Sequence, residues 1–326
     1  MSVPTLEAIR EAQTRLAPYL LRTPVHAVPS PAEVPAVGDG TLFLKLEFLQ
    51  RTGTFKARGA LNTLLTLPEE ARARGVTAVS AGNHAIAVAY AAAVTGISAK
   101  VVMHRAADPV RVAACERHGA EVILADDIGE AFARVDEIRQ QEGRTFVHPF
   151  DGERTREGTG TVGLEIAEQI DAPDVVLVAV GGGGLLAGIG AAIRALHPSC
   201  EVIGVEPEGA PGLTHSLAQG APLARVDVDT VADSMGAPMH TADTFEACRV
   251  VVDRMVLVSD DQLCRAMAGA YDAWKFALEP AGAATLAAAA GPLRSDLEGR
   301  RVVAVLCGSN IGEGRFMELL ARGRAA

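Results

Sequence analysis

Asp174-Val175-Val176-Leu177-Val178-Ala179-Val180-Gly181-Gly182-Gly183-Gly184-Leu185-Leu186-Ala187 passes from a β-branched run through four glycines into an apolar stretch. The pattern predicts a strand, a tight turn and a helix. Unhindered backbone N–H groups at a helix start suit a phosphate dianion. Gly182-x-Gly184-x-x-Ala187 also satisfies the dinucleotide fingerprint formally, with Glu206 about twenty residues on, after Val202-Ile203-Gly204-Val205. Taken alone, the segment leaves both phosphate readings open. Val175 to Ile193 is uncharged and long enough to raise the question of a membrane span, but four glycines near its centre make it a loop.

The same alternation continues outward in both directions. Thr77-Ala78-Val79 precedes the Ala-rich Ala85-Ile86-Ala87-Val88-Ala89-Tyr90-Ala91, and Ala99-Lys100-Val101-Val102-Met103 precedes Val110-Arg111-Val112-Ala113-Ala114-Cys115. The last such run is Val302-Val303-Ala304-Val305-Leu306, and Ala287-Ala288-Ala289-Ala290 reads as helix. Short apolar strands alternating with helices predict an α/β fold with parallel sheets covered on both faces. Turn-rich segments at Pro29-Ser30-Pro31 and His148-Pro149-Phe150-Asp151-Gly152 bracket the region between them. They predict a large discontinuous lobe of residues 1–52 and 148–326 with a small lobe, 53–147, inserted in it. Ligands of such sheets bind where loops leave the carboxyl ends of strands.

A chain of 326 residues that is 49% hydrophobic can bury an ordinary core. The net charge of −10, with scattered basic residues, argues against nucleic-acid binding. Cys115, Cys200, Cys248, Cys264 and Cys307 show neither a CxxC pair nor metal-ligand spacing, which fits a reducing compartment. Met1-Ser2-Val3-Pro4-Thr5-Leu6-Glu7 lacks the basic and apolar regions of a secretory signal, so the cytoplasm is expected, with no membrane partner.

Three further segments carry candidate chemistry. Lys56 stands between Thr52-Gly53-Thr54-Phe55 and the small-residue start Ala57-Arg58-Gly59-Ala60 of a helix. A cation there opposes the helix macrodipole, which marks an amine placed for use rather than for solvation. Val79-Ser80-Ala81-Gly82-Asn83-His84-Ala85 predicts another strand, turn and helix. Ser80, Asn83 and His84 offer hydroxyl, amide and imidazole groups beside free helix N–H donors, suited to a carboxylate or a phenolic oxygen, although capping and core roles are alternatives. Ala304-Val305-Leu306-Cys307-Gly308-Ser309-Asn310 ends a strand at a thiol whose useful property is neutrality near pH 7.

Together these four segments resemble the fold-type-II pyridoxal-phosphate enzymes, in particular the threonine/serine dehydratase and serine racemase branch. The likeness extends to Gly119-Ala120-Glu121-Val122-Ile123-Leu124, His148-Pro149-Phe150-Asp151, Gly158-Thr159-Gly160-Thr161-Val162-Gly163-Leu164-Glu165 and Glu279-Pro280-Ala281-Gly282-Ala283-Ala284. The resemblance implies two lobes, each with a mainly parallel sheet, and pyridoxal 5'-phosphate as cofactor. Lys56 would hold the cofactor as a Schiff base and Phe55 would pack near its ring. Asn83 would bond the ring hydroxyl, Gly181, Gly182, Gly183, Gly184 and Leu185 would cradle the phosphate, and Cys307 would face the ring nitrogen. The dinucleotide reading gives Lys56 no role. A neutral thiol cannot keep the ring nitrogen protonated as a carboxylate would, which favours prompt loss of a β-leaving group. The expected reaction is β-elimination of water from a 3-hydroxy-L-amino acid of the threonine or serine type, with Lys56 as base and Ser80, Ala81, Asn83 and His84 at the substrate carboxylate.

Several positions depart from the family pattern. Ala81 stands where the racemase branch has a second serine, which argues against the alternative of an amino-acid racemase. Ile86 and Thr159 replace glutamines and Ser234 a glycine, which bears on the substrate; 3-hydroxyaspartate and 3-phenylserine are the bulkier alternatives. Glu206-Pro207 resembles a divalent-metal loop, but Gly212 lies where an aspartate ligand is expected, so no metal site is assigned. Sixteen residues follow Asn310, too few for a C-terminal regulatory domain. A homodimer is the family expectation.

Overall fold

The computed structural model describes residues 3–28 and 40–326; the expected turn at Pro29-Ser30-Pro31 lies outside them. The described residues form the strands β1 (Val25–Val28), β2 (Thr41–Lys45), β3 (Val76–Val79), β4 (Ala99–His104), β5 (Glu121–Ala125), β6 (Thr145–Phe146), β7 (Val175–Ala179), β8 (Glu201–Pro207), β9 (Arg254–Val258) and β10 (Arg301–Val305). Six of them make one sheet in the order β1-β2-β10-β7-β8-β9, and four make a second in the order β5-β4-β3-β6. All pairs are parallel except β1 with β2.

Helices on both sheet faces explain the unbroken apolar runs of the inner strands. Every residue of β7 and of β3 is buried. Along β4, Val101 and Met103 join one apolar cluster with the helix Asn83–Thr95, whereas Val102 joins another with Ala131, Val135 and Ile138 of the helix Ile128–Glu142. Successive side chains thus serve opposite faces, as strand geometry requires. Ile86 is 3% exposed within the first of these clusters. It faces the core and is not among the residues lining the cavities at Lys56.

The helix Glu153–Gln169 joins the two halves of the machinery. A Cβ on Gly158 would overlap the Arg58 carbonyl of the helix Lys56–Leu65, and one on Gly188 would overlap the Thr159 hydroxyl. Glycines therefore set how closely the Lys56 helix and the helix Gly184–Leu196 approach this shared partner. Beneath the crossing lies a buried ionic network. The Arg58 guanidinium donates to both Glu47 oxygens at 2.8 Å and to Glu165 at 2.7 and 3.0 Å, while Lys45 Nζ donates to the Thr23 carbonyl at 2.8 Å and to Glu165. Burial opposes charge on Arg58, but the two carboxylates outweigh it and hold its pKa above the usual range. Breaking one partner of such a set would strand a buried charge. The network thus locks the first turn that follows Lys56.

Candidate active site

Backbone pairing brings the distant loops together. Phe55 N–H donates to the Cys307 carbonyl at 3.2 Å, Ser309 N–H to the Gly53 carbonyl at 3.0 Å, and Glu279 N–H to the Gly308 carbonyl at 3.2 Å. The end of β10 is thereby stitched to the turn before Lys56 and to the start of the helix Pro280–Ala290. Lys56 opens its helix as expected, with its backbone N–H donating to Thr54 Oγ1 at 3.0 Å. Its half-buried Nζ donates to the Pro149 carbonyl at 2.7 Å and lies 5.2 Å from the centre of the Phe55 ring. Burial pushes the Lys56 amine down to about 8, against the opposing influence of Cys307 and Glu279.

Of the cavities that Lys56 borders, two carry the residues expected at the site. The inner one is lined by Phe55, Asn83, Phe150, Gly181 to Leu185, Glu279 and Cys307, so every residue expected around the cofactor borders one space. The outer one, of about 300 Å³, is bordered by Ser80, Ala81, Gly82, Asn83 and His84 and lies between β3 and the segment Asp233 to Met239.

The inner cavity has the form the glycine loop predicts. Gly183 sits at φ +90° as the N-cap of the helix Gly184–Leu196. Cβ atoms on Gly182 or Gly184 would overlap Phe150. The first N–H groups of that helix have no partner within it, and Gly184 and Leu185, which carry two of them, line the cavity. Thr159 Oγ1 donates to the Gly184 carbonyl at 2.8 Å, which anchors the loop from behind. Cys307 Sγ donates to the Ala281 carbonyl at 3.2 Å, and burial pushes its thiol well up, so it stays neutral. A bare N–H cradle, an amine of lowered pKa and a neutral thiol fit a phosphate, an aldehyde and a pyridine nitrogen respectively.

Other side chains are placed less simply. Asn83 Nδ2 donates to Glu279 Oε1 at 2.6 Å and to Ser234 Oγ at 3.3 Å, and Asn83 Oδ1 accepts from Asn310 Nδ2 at 2.8 Å. His84 is buried, with Nε2 2.8 Å from the Val147 carbonyl. Burial, together with Lys56, lowers its pKa to about 3, so the ring is neutral and presents no cation to a carboxylate. Donors for an anion at this loop are the backbone N–H groups opening the helix Asn83–Thr95.

Glu279 and Arg111 were not singled out as site residues from sequence. Burial raises Glu279 to about 7 despite Arg111, whose Nη2 lies 3.4 Å from it. Arg111 also donates to Asp233 at 2.6 Å and to the Asn310 carbonyl at 3.0 Å, so a small-sheet helix clasps the large-sheet side of the cavity. In the structure Glu279 is the N-cap residue before Pro280, and Arg111 lies within the helix Pro109–Arg117. The one sequence signal is that Glu279 opens a segment carrying the family resemblance; Arg111 has none. The Glu206 carboxylate accepts from Leu213 N–H at 2.7 Å, Thr214 N–H at 2.9 Å and Thr214 Oγ1 at 2.7 Å, and thereby caps the helix Gly212–Gln219.

Two lobes of mainly parallel sheet, with a lysine set against a glycine cradle, define a fold-type-II pyridoxal-phosphate enzyme, and the chain belongs to the family described as pyridoxal-phosphate dependent enzymes, whose model matches residues 16–308. It is 48% identical to phenylserine dehydratase of Ralstonia pickettii, over 99% of this chain and 98% of that one. It is 39% identical to L-threonine ammonia-lyase of Thermotoga maritima, over 98% of this chain and 79% of that one. The structure of maize serine racemase superposes with a TM-score of 0.90 at 33% identity, covering 99% of this chain and 98% of that one. The expected fold, cofactor and lyase class are borne out by these relatives.

The lowered amine pKa has a measurable consequence. The attacking species is the neutral amine, whose fraction grows about tenfold per pH unit below the pKa and then levels off. The rate at which cofactor-free protein takes up pyridoxal phosphate should therefore rise with pH and plateau just above the Lys56 value of about 8. A rate still climbing steeply at pH 9.5 would indicate an ordinary lysine, with a pKa of about 10.4.

Proposed function

We propose that the protein is a dehydratase that eliminates water from a 3-hydroxy-L-amino acid, of the threonine or serine type or the bulkier 3-phenylserine, giving a 2-oxo acid and ammonia. The observation that carries this reading is the position of Lys56, an amine of lowered pKa where the glycine cradle and the Ser80–His84 loop converge. Pyridoxal phosphate, when bound, supplies an electron sink for the charge left at Cα as its proton departs. Gly181, Gly182, Gly183, Gly184 and Leu185 would hold its phosphate, Phe55 and Asn83 would flank its ring, and Cys307 would offer its nitrogen a neutral thiol.

Ser80, Ala81, Asn83 and His84 hold the substrate carboxylate at the start of their helix, chiefly through backbone N–H groups. This orients the Cα–H bond toward Lys56 Nζ. Lys56 removes the proton, the C–H electron pair becomes the Cα=Cβ bond, and the β-hydroxyl takes that proton from the Lys56 ammonium and leaves as water. The enamine that is released tautomerises and hydrolyses to the oxo acid and ammonia. Ala81 has no hydroxyl to return a proton from the opposite face, which disfavours racemisation.

The lobes are residues 1–52 with 148–326, and 53–147. In support, the four-stranded sheet draws all its strands from residues 76–146. A cytoplasmic setting agrees with five free, buried cysteines. None of the helices in the described residues is long and apolar enough to cross a membrane. The homodimer rests on family resemblance.

The test is ammonia release by the cofactor-loaded protein over L-threonine, L-serine, 3-hydroxyaspartate and L-threo- and L-erythro-3-phenylserine. Equal yields of ammonia and 2-oxo acid from at least one substrate are expected. D-isomer formation with no ammonia from any of them would replace the lyase reading with the racemase one.

A further inference from the structure

The outer cavity carries more apolar surface than removal of a proton and a hydroxyl requires. Phe132, on the helix Ile128–Glu142, is 41% exposed and Met239, in the loop before the helix Ala242–Val251, is 39% exposed, yet both line this one space. Phe146 borders it too, edge-on to His148 at 5.7 Å between ring centres, and His148 in turn meets Phe150 at 4.5 Å. Large apolar side chains left in water at a cavity mouth point to a ligand that covers them.

The charges nearby are already committed. Arg111 is paired with Asp233 at 2.6 Å and lies 3.4 Å from Glu279, and His104 Nδ1 accepts from Ala106 N–H at 3.0 Å. Burial lowers His148 to about 4, leaving it neutral. Lys56 is the other arginine or lysine among the described residues lining the cavity, and its amine donates to the Pro149 carbonyl at 2.7 Å. A carboxylate at Cβ would meet no arginine or lysine that is not already engaged, and a methyl group would leave most of the wall wet.

We propose that Phe132, Phe146 and Met239 form a specificity wall for an aromatic substituent at Cβ, so that the preferred substrate is a 3-aryl-3-hydroxy amino acid. This assignment deepens the dehydratase reading and rests on it for the chemistry, although the wall's affinity for an aryl group can be measured without turnover. A phenyl ring lodged against Phe132, Phe146 and Met239 adds edge or offset ring contacts and a thioether–ring contact to simple burial. One methylene in an apolar pocket discriminates by about 10- to 200-fold, so phenyl over methyl should reach at least about 100-fold in kcat/KM.

Phe132→Ala and Met239→Ala are suited to the test because both side chains are exposed and their loss leaves the core packed. Each variant is expected to lower kcat/KM for 3-phenylserine by about 10-fold or more while changing that for threonine by less than about 3-fold. A second readout uses L-phenylalanine and L-alanine, which have no leaving hydroxyl, titrated calorimetrically into the cofactor-loaded protein. Tighter binding of phenylalanine, with the ratio narrowed in both variants, supports the wall. A ratio near one, or one unaltered in both variants, overturns it. If phenylalanine binding follows the expected pattern while no hydroxy amino acid releases ammonia, the wall stands and the dehydratase reading fails.

Discussion

Lys56→Ala is expected to lower kcat for elimination by more than about 10³-fold, because it removes the base at Cα and the amine that engages the cofactor aldehyde. Lys56→Arg should be equally inactive, since a guanidinium stays protonated and cannot accept the α-proton. Neither loss should be confused with unfolding. Folded Lys56 releases its proton near pH 8, whereas an unfolded lysine keeps it to about 10.4. Between those values the native state binds fewer protons than the unfolded chain, so stability rises with pH across that window. At pH 7 both states are protonated and the burial cost of the ammonium is fully present. Alanine relieves that cost and gives up one bond, to the Pro149 carbonyl at 2.7 Å, so the thermal midpoint should hold or rise. Ammonia release at the wild-type rate from the alanine variant would remove Lys56 from the mechanism.

Gly184→Ala should damage cofactor binding most among single methyl additions to the cradle. The new Cβ would overlap the Phe150 carbonyl oxygen and lie 3.1 Å from the Phe150 carbonyl carbon and Cα, all of them backbone atoms that cannot rotate aside. The strain would pass directly to Pro149, whose carbonyl holds Lys56 Nζ, so cradle and amine would shift together. Overpacking of this kind costs about 1–3 kcal/mol in stability. A displaced cradle should weaken pyridoxal phosphate by about 100-fold, if some 2.7 kcal/mol of fit is lost. Gly269→Ala is the matching control. It lies within the helix Asp260–Trp274 with nothing within 4 Å of the added methyl, so the better helix former should raise stability by up to about 1 kcal/mol. Equilibrium dialysis of the cofactor and thermal unfolding of both variants measure these effects. Undiminished cofactor affinity in Gly184→Ala would mean that the loop is not the phosphate site.

Much of this arrangement could be read locally. Strands such as β7 and β10 announce themselves because a strand buried on both faces must be apolar at nearly every position, and the glycine loop because few other residues tolerate φ +90°, as at Gly183, or a backbone packed against Phe150, as at Gly182 and Gly184. Lys56 was conspicuous as a cation where the helix dipole disfavours one. The glycines of Gly158-Thr159-Gly160-Thr161-Val162-Gly163, by contrast, gain meaning only when the helices they let together are seen. The clasp of Arg111 on Asp233 and Glu279 joins residues far apart in the chain, each ordinary in its own neighbourhood. The same is true of Phe132 and Met239, which form a candidate wall only because folding brings both to the lining of one cavity. Backbone propensity and hydrophobic period act over a few residues and so specify the elements and their loops. Burial, pKa and pocket shape are sums over neighbours that the chain assembles from all along its length, and those sums set the amine's pKa and the space open to a substrate.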